Sequence, residues 1–361
     1  MKAEKLANPW LDKLRPYYEK PLPADVIKLD LSENLYGPSP KVFDVVFANL
    51  DAIGQYTRLD HVIELKNALS KYTGLAVENI SVFHGADAAL DCVLRCFTKP
   101  GDKVVIHQPT YPVFISFAKA FGVEVIDVYL KKPNFTLSLD EAIPACREAK
   151  VVFICNPNNP TGNIVISANE LSELLKLDIM VVVDEAYYEF SKYTVAHMVR
   201  DYSNLIVIRS FSKAFGLAGL RVGYALAAEE AINILEKARI PYEISILESK
   251  AAIAALSDLE YLEQVVSSCI EGRDFVYRSL LELSDVKPYE SRANFLMFSL
   301  KRGDIKAPKL AEHLLNKYRV AVKDLSRFKG LGEEYLRVGI GKMEHNKIFV
   351  DSLKAALAEL R

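Results

Sequence analysis

Short apolar runs alternate with segments of helical periodicity through the first two thirds of the chain. Three of these runs, rich in β-branched residues, each end at polar residues: Val151–Ile154, Val181–Val183 and Leu205–Ile208. Runs that are apolar throughout, rather than apolar and polar in turn, are typical of strands buried on both faces. The pattern over 41 to about 227 therefore predicts an α/β fold with a mostly parallel sheet between helices.

The pattern changes in the last third of the chain. Residues 228–256 are predicted as helix, interrupted near Pro241, and a long helix follows from Asp258. A strand over 294–300, a helix over 308–317, further strands and a closing helix over 343–360 come next. We therefore expect an N-terminal arm (1–40) that joins the small domain, a large domain (41–257) and a smaller α+β C-terminal domain (258–361).

Composition narrows the classes of function. The chain of 361 residues has a formal net charge of −2, which gives no general attraction to nucleic acid or to anionic membranes. Its five cysteines show no metal-like spacing, so they indicate reduced thiols and no metal site. We find no secretory signal and no apolar run that could span a bilayer, and expect a cytoplasmic protein. No G-x-G-x-x-G follows an early strand, which argues against a nicotinamide-binding enzyme.

Residues 210–221 read SFSKAFGLAGLR, which sets one lysine among possible phosphate ligands. Lys213 lies just after the hydroxyls of Ser210 and Ser212 and eight residues before Arg221. A lysine becomes a Schiff-base nucleophile where its surroundings lower its pKa, and hydroxyls and guanidinium groups bind phosphate. The motif therefore suits the binding of a phosphorylated aldehyde cofactor. An equally good interpretation of this segment alone is a plain loop before a glycine-containing strand.

Two more motifs stand at strand exits, where α/β sheets bind ligands. Asp184 ends one apolar run and can pair with a protonated pyridine nitrogen, the partner that pyridoxal phosphate (PLP) requires; its alternative is a helix cap. Asn159, in NPNNPTG at 156–162, can donate a hydrogen bond to an oxygen on the cofactor ring, and Tyr187 can add a second. The alternative for NPNNPTG is an ordinary turn.

Further short patterns complete a family resemblance. They are RPY at 15–17, LSENLYGPSP at 31–40, HGAD at 84–87, PTY at 109–111 and YLRVGIG at 335–341. In this order, and almost end to end, the chain resembles the fold-type I, class I/II PLP-dependent aminotransferases, and within them the histidinol-phosphate aminotransferase group. The resemblance implies PLP as cofactor, a large PLP-binding domain, a homodimer with shared active sites and a role in histidine biosynthesis.

The resemblance also implies roles for individual residues. Lys213 would hold PLP covalently and move the proton, which needs a lowered lysine pKa. Asp184 and Tyr187 complete the catalytic group, and Asn159 joins Tyr187 at the ring oxygen. Tyr111 would stack on the cofactor ring. Tyr56 of the neighbouring subunit would contact the cofactor phosphate. The other phosphate contacts implied are Ala86, Asp87, Ser210, Ser212 and Arg221.

Four residues are implied as substrate contacts: Tyr17, Asn34, Lys323 and Arg337. The family uses the arginine that matches Arg337 to clamp a carboxylate, and Tyr17 would touch a distal phosphate. For Tyr17 and Tyr56, ordinary aromatic packing is nearly as good an interpretation. Lys323 stands where the family has a second arginine, and Lys offers a point charge in place of a rigid fork. Lys323, Ala88 and Leu35 are departures from the family pattern, and Lys323 puts the substrate in doubt.

We therefore expect an aminotransferase that moves an amino group between a phosphorylated amine or amino acid and a 2-oxo acid such as 2-oxoglutarate. Histidinol phosphate is the expected donor. One alternative is a PLP-dependent decarboxylase of phosphothreonine or phosphoserine, since the pose of the substrate selects the bond that breaks. The other is a PLP-sensing protein without turnover. Neither nucleic acid nor membrane is expected as a partner.

Overall fold

The structure is a computed structural model that describes residues 3–16, 18 and 21–360. Its strands are β1 (Ile27–Lys28), β2 (Ile80–His84), β3 (Lys103–Gln108), β4 (Glu124–Tyr129), β5 (Val151–Cys155), β6 (Met180–Asp184), β7 (Leu205–Ser210), β8 (Val222–Ala227), β9 (Val286–Pro288), β10 (Phe295–Leu300), β11 (Val320–Ala321), β12 (Lys323–Asp324) and β13 (Tyr335–Gly339). Its helices are α1 (Pro40–Ala48), α2 (Leu59–Thr73), α3 (Gly85–Phe97), α4 (Val113–Ala120), α5 (Leu139–Cys146), α6 (Ala168–Leu175), α7 (Tyr188–Ser191), α8 (Glu229–Ala238), α9 (Ile246–Leu256), α10 (Leu259–Leu281), α11 (Ala307–Tyr318) and α12 (Met343–Glu359).

The largest sheet in the described part of the chain has seven strands in the order β2-β8-β7-β6-β5-β3-β4. Strands β3 to β7 are parallel to their neighbours within that group. Strand β8 lies between β2 and β7 and runs antiparallel to both. The predicted α/β fold with a mostly parallel sheet is confirmed. Because parallel strands share a direction, the carboxyl ends of β5, β6 and β7 meet at one edge of the sheet.

Alternate residues of the central strands enter two separate hydrophobic cores. In β6, Val181 and Val183 pack in one core and Val182 in the other. In β7, Val207 packs in the first core and Ile206 in the second. Helices therefore cover both faces of the sheet, which explains why these strands are apolar at every position rather than at every second one.

A four-stranded antiparallel sheet, in the order β12-β13-β10-β9, forms the centre of the C-terminal part. The N-terminal arm reaches this part, because β1 pairs in parallel with β11. The interruption predicted near Pro241 is confirmed, since α8 ends at Ala238 and α9 begins at Ile246. The boundaries chosen for the arm and the two domains, at 40 and 257, stay a prediction.

Local sequence sets where several helices begin. Ser167 and Ser245 each accept a hydrogen bond from the backbone of the glutamate three residues later, and each glutamate bonds back to the serine backbone. This reciprocal pair satisfies donors that the first turn of a helix leaves unpaired. Among the residues that the structure covers, no helix has both the length and the apolar character needed to cross a bilayer.

Candidate active site

A cavity of about 390 Å³ opens at the carboxyl ends of the central strands. It lies between the large sheet and the C-terminal part, because residues of both line it. Most of the residues predicted as functional share this lining: Ala86, Asp87, Tyr111, Asn159, Asp184, Tyr187, Ser210, Ser212, Lys213, Arg221, Lys323 and Arg337. The sequence motifs, which are spread over 250 residues, are thus brought to one place by the order of the strands.

Lys213 stands on the loop that follows β7. Its Nζ donates a hydrogen bond to the carbonyl of Leu31 at 3.1 Å and lies 5.8 Å from the centre of the Tyr187 ring. Burial lowers the pKa of Lys213 to about 8, and the positive charge of Arg337 acts in the same direction. The carboxylates of Glu33, Asp87 and Asp184 oppose this shift. A lysine with such a pKa is in part neutral near pH 8, as a nucleophile and proton carrier must be.

Asp184 is the last residue of β6 and is only 4% exposed. Its Oδ1 accepts a hydrogen bond from the backbone N–H of Ala186 at 2.9 Å. Burial raises the pKa of this carboxyl to about 7, while the bond from Ala186 lowers it. A buried carboxyl of this kind is stabilised in its charged form by a cationic partner. The geometry suits the predicted pairing with a protonated ring nitrogen.

The first turn of α3 forms one wall of the cavity. The helix begins at Gly85, so Ala86 and Asp87 lie in its first turn. The backbone of Gly223 approaches it closely, since a Cβ at Gly223 would lie 2.4 Å from the amide nitrogen of Ala86. Backbone N–H groups at a helix start are unpaired, and they attract anions.

Arg221 lines the same part of the cavity as the start of α3. Its Nη1 donates to the hydroxyl of Ser212 at 3.3 Å, and its Nη2 donates to Asp87 at 3.1 Å. The hydroxyl of Tyr111 donates to the other oxygen of Asp87 at 3.3 Å. A helix start, a hydroxyl and a guanidinium group therefore converge, which is the donor set that a phosphate group requires.

Arg337 comes from β13 and is 5% exposed. Its Nη1 donates to the Oδ1 of Asn159, and its Nη2 donates to the carbonyl of Asp30. Its guanidinium carbon lies 5.0 Å from the centre of the Phe295 ring. Lys323 is its cross-strand partner on β12. The two residues set two positive charges side by side in the cavity wall, which suits anionic ligands.

Two predicted site residues within the described part of the chain, Asn34 and Tyr56, are not among those lining the cavity. The amide of Asn34 donates to the carbonyl of Ala214 at 2.9 Å, and its oxygen accepts from the backbone of Tyr36, so this side chain joins the arm to the Lys213 loop. Tyr56 is 76% exposed. Tyr17 lies outside the described residues. Their roles as ligand contacts stay predictions.

The family model described as aminotransferase class I and II matches residues 24–353. The chain belongs to this family. The aminotransferase is 37% identical over 341 residues to the histidinol-phosphate aminotransferase of Methanocaldococcus jannaschii, covering 93% of this chain and 90% of that protein. It is 38% identical over 335 residues to the chloroplastic histidinol-phosphate aminotransferase 1 of Arabidopsis thaliana, covering 92% of this chain and 78% of that protein.

Solved structures share the fold of this aminotransferase. The histidinol-phosphate aminotransferase from Sinorhizobium meliloti, in complex with pyridoxal-5'-phosphate, superposes with a TM-score of 0.87 at 24% identity over 98% of each chain. The L-threonine-O-3-phosphate decarboxylase from Porphyromonas gingivalis does so with a TM-score of 0.80 at 23% identity, over 92% of this chain and 100% of that one. The predicted fold-type I architecture and the predicted PLP dependence of the aminotransferase are confirmed.

The cavity of the aminotransferase fits PLP by its own geometry. The close approach of Gly223 to the start of α3 leaves the amides of that helix facing Arg221 and Ser212, where a phosphate would be held. A side chain at Gly85 would enter this space, because its Cβ would lie 2.7 Å from the Nη2 of Arg221. Asp184 supplies the buried acid for the ring nitrogen. The residues present therefore match the phosphate and the ring nitrogen of the cofactor.

Some cavity residues of the aminotransferase were not predicted. Glu33, Cys155 and Phe328 also line the cavity, and the carbonyls of Asp30 and Leu31 bind the two predicted cations. Glu33 lies inside the motif LSENLYGPSP, which marked this segment as part of the family pattern. Leu31 lies inside the same motif. For Asp30, Cys155 and Phe328 the sequence carries no signal, because an isolated carbonyl, thiol or apolar side chain forms no motif.

Proposed function

We propose that this aminotransferase moves the amino group of histidinol phosphate to a 2-oxo acid such as 2-oxoglutarate. The observation that carries the proposal is the pair of cations Arg337 and Lys323 beside Lys213. These two positive charges can bind the anionic group of the amino donor and, in the other half of the reaction, that of the 2-oxo acid. The similarity to relatives named histidinol-phosphate aminotransferases, at 37% and 38% identity, supports the same donor.

The proposed role of Lys213 is to move the proton at the substrate Cα. Its pKa of about 8 leaves about a tenth of the side chain neutral at pH 7 and about half at pH 8. Bound PLP supplies an electron-poor ring that takes up the electrons released at Cα. Asp184 would keep the proton on the ring nitrogen, and Tyr187 and Asn159 would donate hydrogen bonds to the ring oxygen.

Arg337 is proposed to orient the substrate by binding a carboxylate or a phosphate oxygen. The bond from its Nη1 to Asn159 ties the substrate wall to the residue proposed for the cofactor ring. A substrate oxygen could take the place of the Asp30 carbonyl as the acceptor of the hydrogen bond from Nη2. The substrate would then be held at a fixed angle to the cofactor ring. Fixed orientation of this kind selects which bond at Cα is broken.

We also propose that two copies of the chain form a homodimer through an exposed apolar face. The face is carried by α1, α2 and the segments beside them, which contact α9. Its members are large apolar or aromatic side chains, each more than half exposed: Phe43, Phe47, Ile53, Tyr56, Leu59 and Tyr242. Tyr56 packs against Tyr242, with ring centres 4.7 Å apart and ring planes tilted by 35°. Exposed apolar surface of this extent is typical of an interface.

In the proposed dimer, Tyr56 reaches the cofactor phosphate of the neighbouring subunit. Mixing a Tyr56→Phe variant with a Lys213→Ala variant tests this arrangement. Heterodimers would regain activity at one site, made of the intact lysine and the intact tyrosine, if the site is shared. If the mixture has only the summed activity of the two variants, the shared site is wrong. Localisation in the cytoplasm stays a prediction.

The experiment that tests the substrate is absorbance spectroscopy of the PLP-loaded enzyme with mass spectrometry of the products. The panel contains histidinol phosphate, glutamate, aromatic amino acids, phosphoserine and phosphothreonine. We expect histidinol phosphate to bleach the PLP band and to yield its ketone, with recovery of the band on addition of 2-oxoglutarate. Carbon dioxide and a phosphorylated amine from phosphothreonine or phosphoserine would instead show a decarboxylase. Binding of PLP without turnover of any compound would show a sensing protein.

A further inference from the structure

The cavity contains an acid that the proposed function does not use. Its charged side chains are four cations and three acids: Lys213, Arg221, Lys323, Arg337, Glu33, Asp87 and Asp184. A wall with this excess of positive charge suits phosphate and carboxylate ligands. An acid in the same wall repels those ligands, unless the acid has a cationic or hydrogen-bonding partner of its own.

Two of the three acids have such partners. Asp87 accepts hydrogen bonds from Arg221 at 3.1 Å and from Tyr111 at 3.3 Å. Asp184 accepts from the backbone of Ala186 and is placed to pair with the ring of the cofactor. Each of them therefore has a function within the cofactor site.

Glu33 is different from these two. Within residues 3–16, 18 and 21–360, no side chain or backbone group donates a hydrogen bond to its carboxylate. Its negative charge still reaches Lys213, where it raises the pKa against the effect of burial. Glu33 thus combines a place in the cavity wall with a hydrogen-bonding capacity that the described protein leaves unused.

The backbone just before Glu33 is held in place by two hydrogen bonds. The carbonyl of Leu31 accepts from the Nζ of Lys213 at 3.1 Å, and the carbonyl of Ser32 accepts from the amide of Asn294 at 2.9 Å. Ser32 itself is 1% exposed. A fixed backbone restricts the positions that the carboxylate oxygens can reach. A residue that determines substrate specificity needs such a restriction.

The ligand group that fits this carboxylate follows from the chemistry of the proposed donor. Histidinol phosphate carries an anionic phosphate, which suits the positive charges of Arg337 and Lys323, and two groups that donate hydrogen bonds: the amine and the imidazole ring. The amine has to lie beside Lys213 in every donor. The imidazole ring is the group that distinguishes histidinol phosphate from glutamate, and its N–H is a good partner for a carboxylate.

We infer that Glu33 determines donor specificity by accepting a hydrogen bond from the imidazole ring of histidinol phosphate. The inference rests on the proposed function. The side chain of glutamate has no N–H to donate, so the hydrogen bond to Glu33 favours histidinol phosphate over glutamate.

The test compares two donors in Glu33→Gln, which keeps the size and the carbonyl oxygen of the side chain but removes its charge. We expect KM for histidinol phosphate to rise about tenfold or more, as for loss of a charge-assisted hydrogen bond, with kcat changed less. KM for glutamate should change less, because its side chain offers no N–H to this carboxylate. Glu33→Asp should recover part of the affinity for histidinol phosphate. Glu124→Gln, an exposed acid at the opposite edge of the sheet, is the control.

Each other outcome has a distinct meaning. An equal rise in KM for both donors would show that Glu33 acts on the amine or on Lys213, and would overturn the inference. An unchanged ratio of kcat/KM between the donors would overturn it as well, while the proposed function stands. If the wild-type enzyme does not turn over histidinol phosphate at all, the proposed function and the inference are both wrong.

Discussion

Replacement of Asp184 by asparagine is expected to stabilise the protein free of PLP and to weaken its binding of PLP. The carboxyl is 4% exposed, and burial raises its pKa to about 7 from 3.8. Asparagine has the same shape, and its oxygen can accept the same hydrogen bond from Ala186. The variant therefore removes the desolvation of a buried charge and leaves the packing in place.

The size of the effect follows from the shift in pKa. A carboxyl whose pKa is raised by folding binds its proton more tightly in the folded state, so stability falls as the pH rises from about 4 to about 7. With a pKa of about 7 in the folded state, Asp184 destabilises the protein by about 4 kcal/mol at pH 8, where it is ionised. At pH 5 the folded carboxyl is protonated while the unfolded one is mostly ionised, and the penalty is about 2 kcal/mol. Asparagine escapes this penalty at both pH values.

The assay is urea unfolding of wild type and Asp184→Asn, both stripped of PLP, at pH 5 and pH 8 and at one protomer concentration. We expect the variant to be more stable at pH 8 and its advantage to shrink by about 2 to 3 kcal/mol at pH 5. Asp201→Asn, at an exposed acid, should show no such dependence. An advantage that does not change with pH, or a less stable variant at pH 8, would refute the reasoning.

Saturating PLP should reduce the stability advantage of Asp184→Asn over wild type. A ligand at a hundred times its Kd stabilises the folded state by about 2.7 kcal/mol, and wild type should gain more than the variant at equal PLP because its carboxylate meets the cationic ring nitrogen. If both proteins gain equally, Asp184 does not pair with the ring.

Further predictions concern the neighbouring residues. Lys213→Ala should lose the visible absorbance of covalently held PLP and release PLP on gel filtration; a retained band would contradict the lysine assignment. Arg337→Met should raise KM for 2-oxoglutarate about tenfold or more. It should also raise the pKa of Lys213 above about 8, and an unchanged pH dependence of PLP association would contradict this. In Gly223→Ala the new Cβ would lie 2.4 Å from the amide nitrogen of Ala86. This variant should lower the free energy of unfolding by about 1 to 3 kcal/mol and weaken PLP binding in equilibrium titrations. Gly303→Ala, whose Cβ would have no atom within 4 Å, should do neither.

The sequence predicts the site well where function depends on strand ends. Asp184 and Lys213 follow apolar runs whose buried, parallel character is visible in the residues themselves. Parallel strands bring their carboxyl ends to one edge, so residues at those ends are placed by the fold alone. The sequence does not predict the direction of β8, because a buried strand has the same apolar residues whether it runs parallel or antiparallel to its neighbours.

Residues of the N-terminal arm are hard to place from sequence. Asn34 and Glu33 are adjacent, yet the first bonds to the Ala214 carbonyl and the second lines the cavity. Their placement depends on the pairing of β1 with β11, almost 300 residues away. No local period encodes such a contact, and propensity does not distinguish a carboxylate that lines a cavity from one in solvent.

Burial acts on the two central ionisable residues in opposite directions. It lowers the pKa of Lys213 to about 8 and raises that of Asp184 to about 7, so that it disfavours the charged form of both. A neutral lysine is what nucleophilic and proton-transfer chemistry requires, whereas an ionised Asp184 becomes favourable once a cationic ring nitrogen faces it. The same dry cavity therefore destabilises the protein alone and stabilises it with PLP. The placement of Asp184 is better explained by binding of the cofactor than by stability of the fold, since asparagine would serve the fold better.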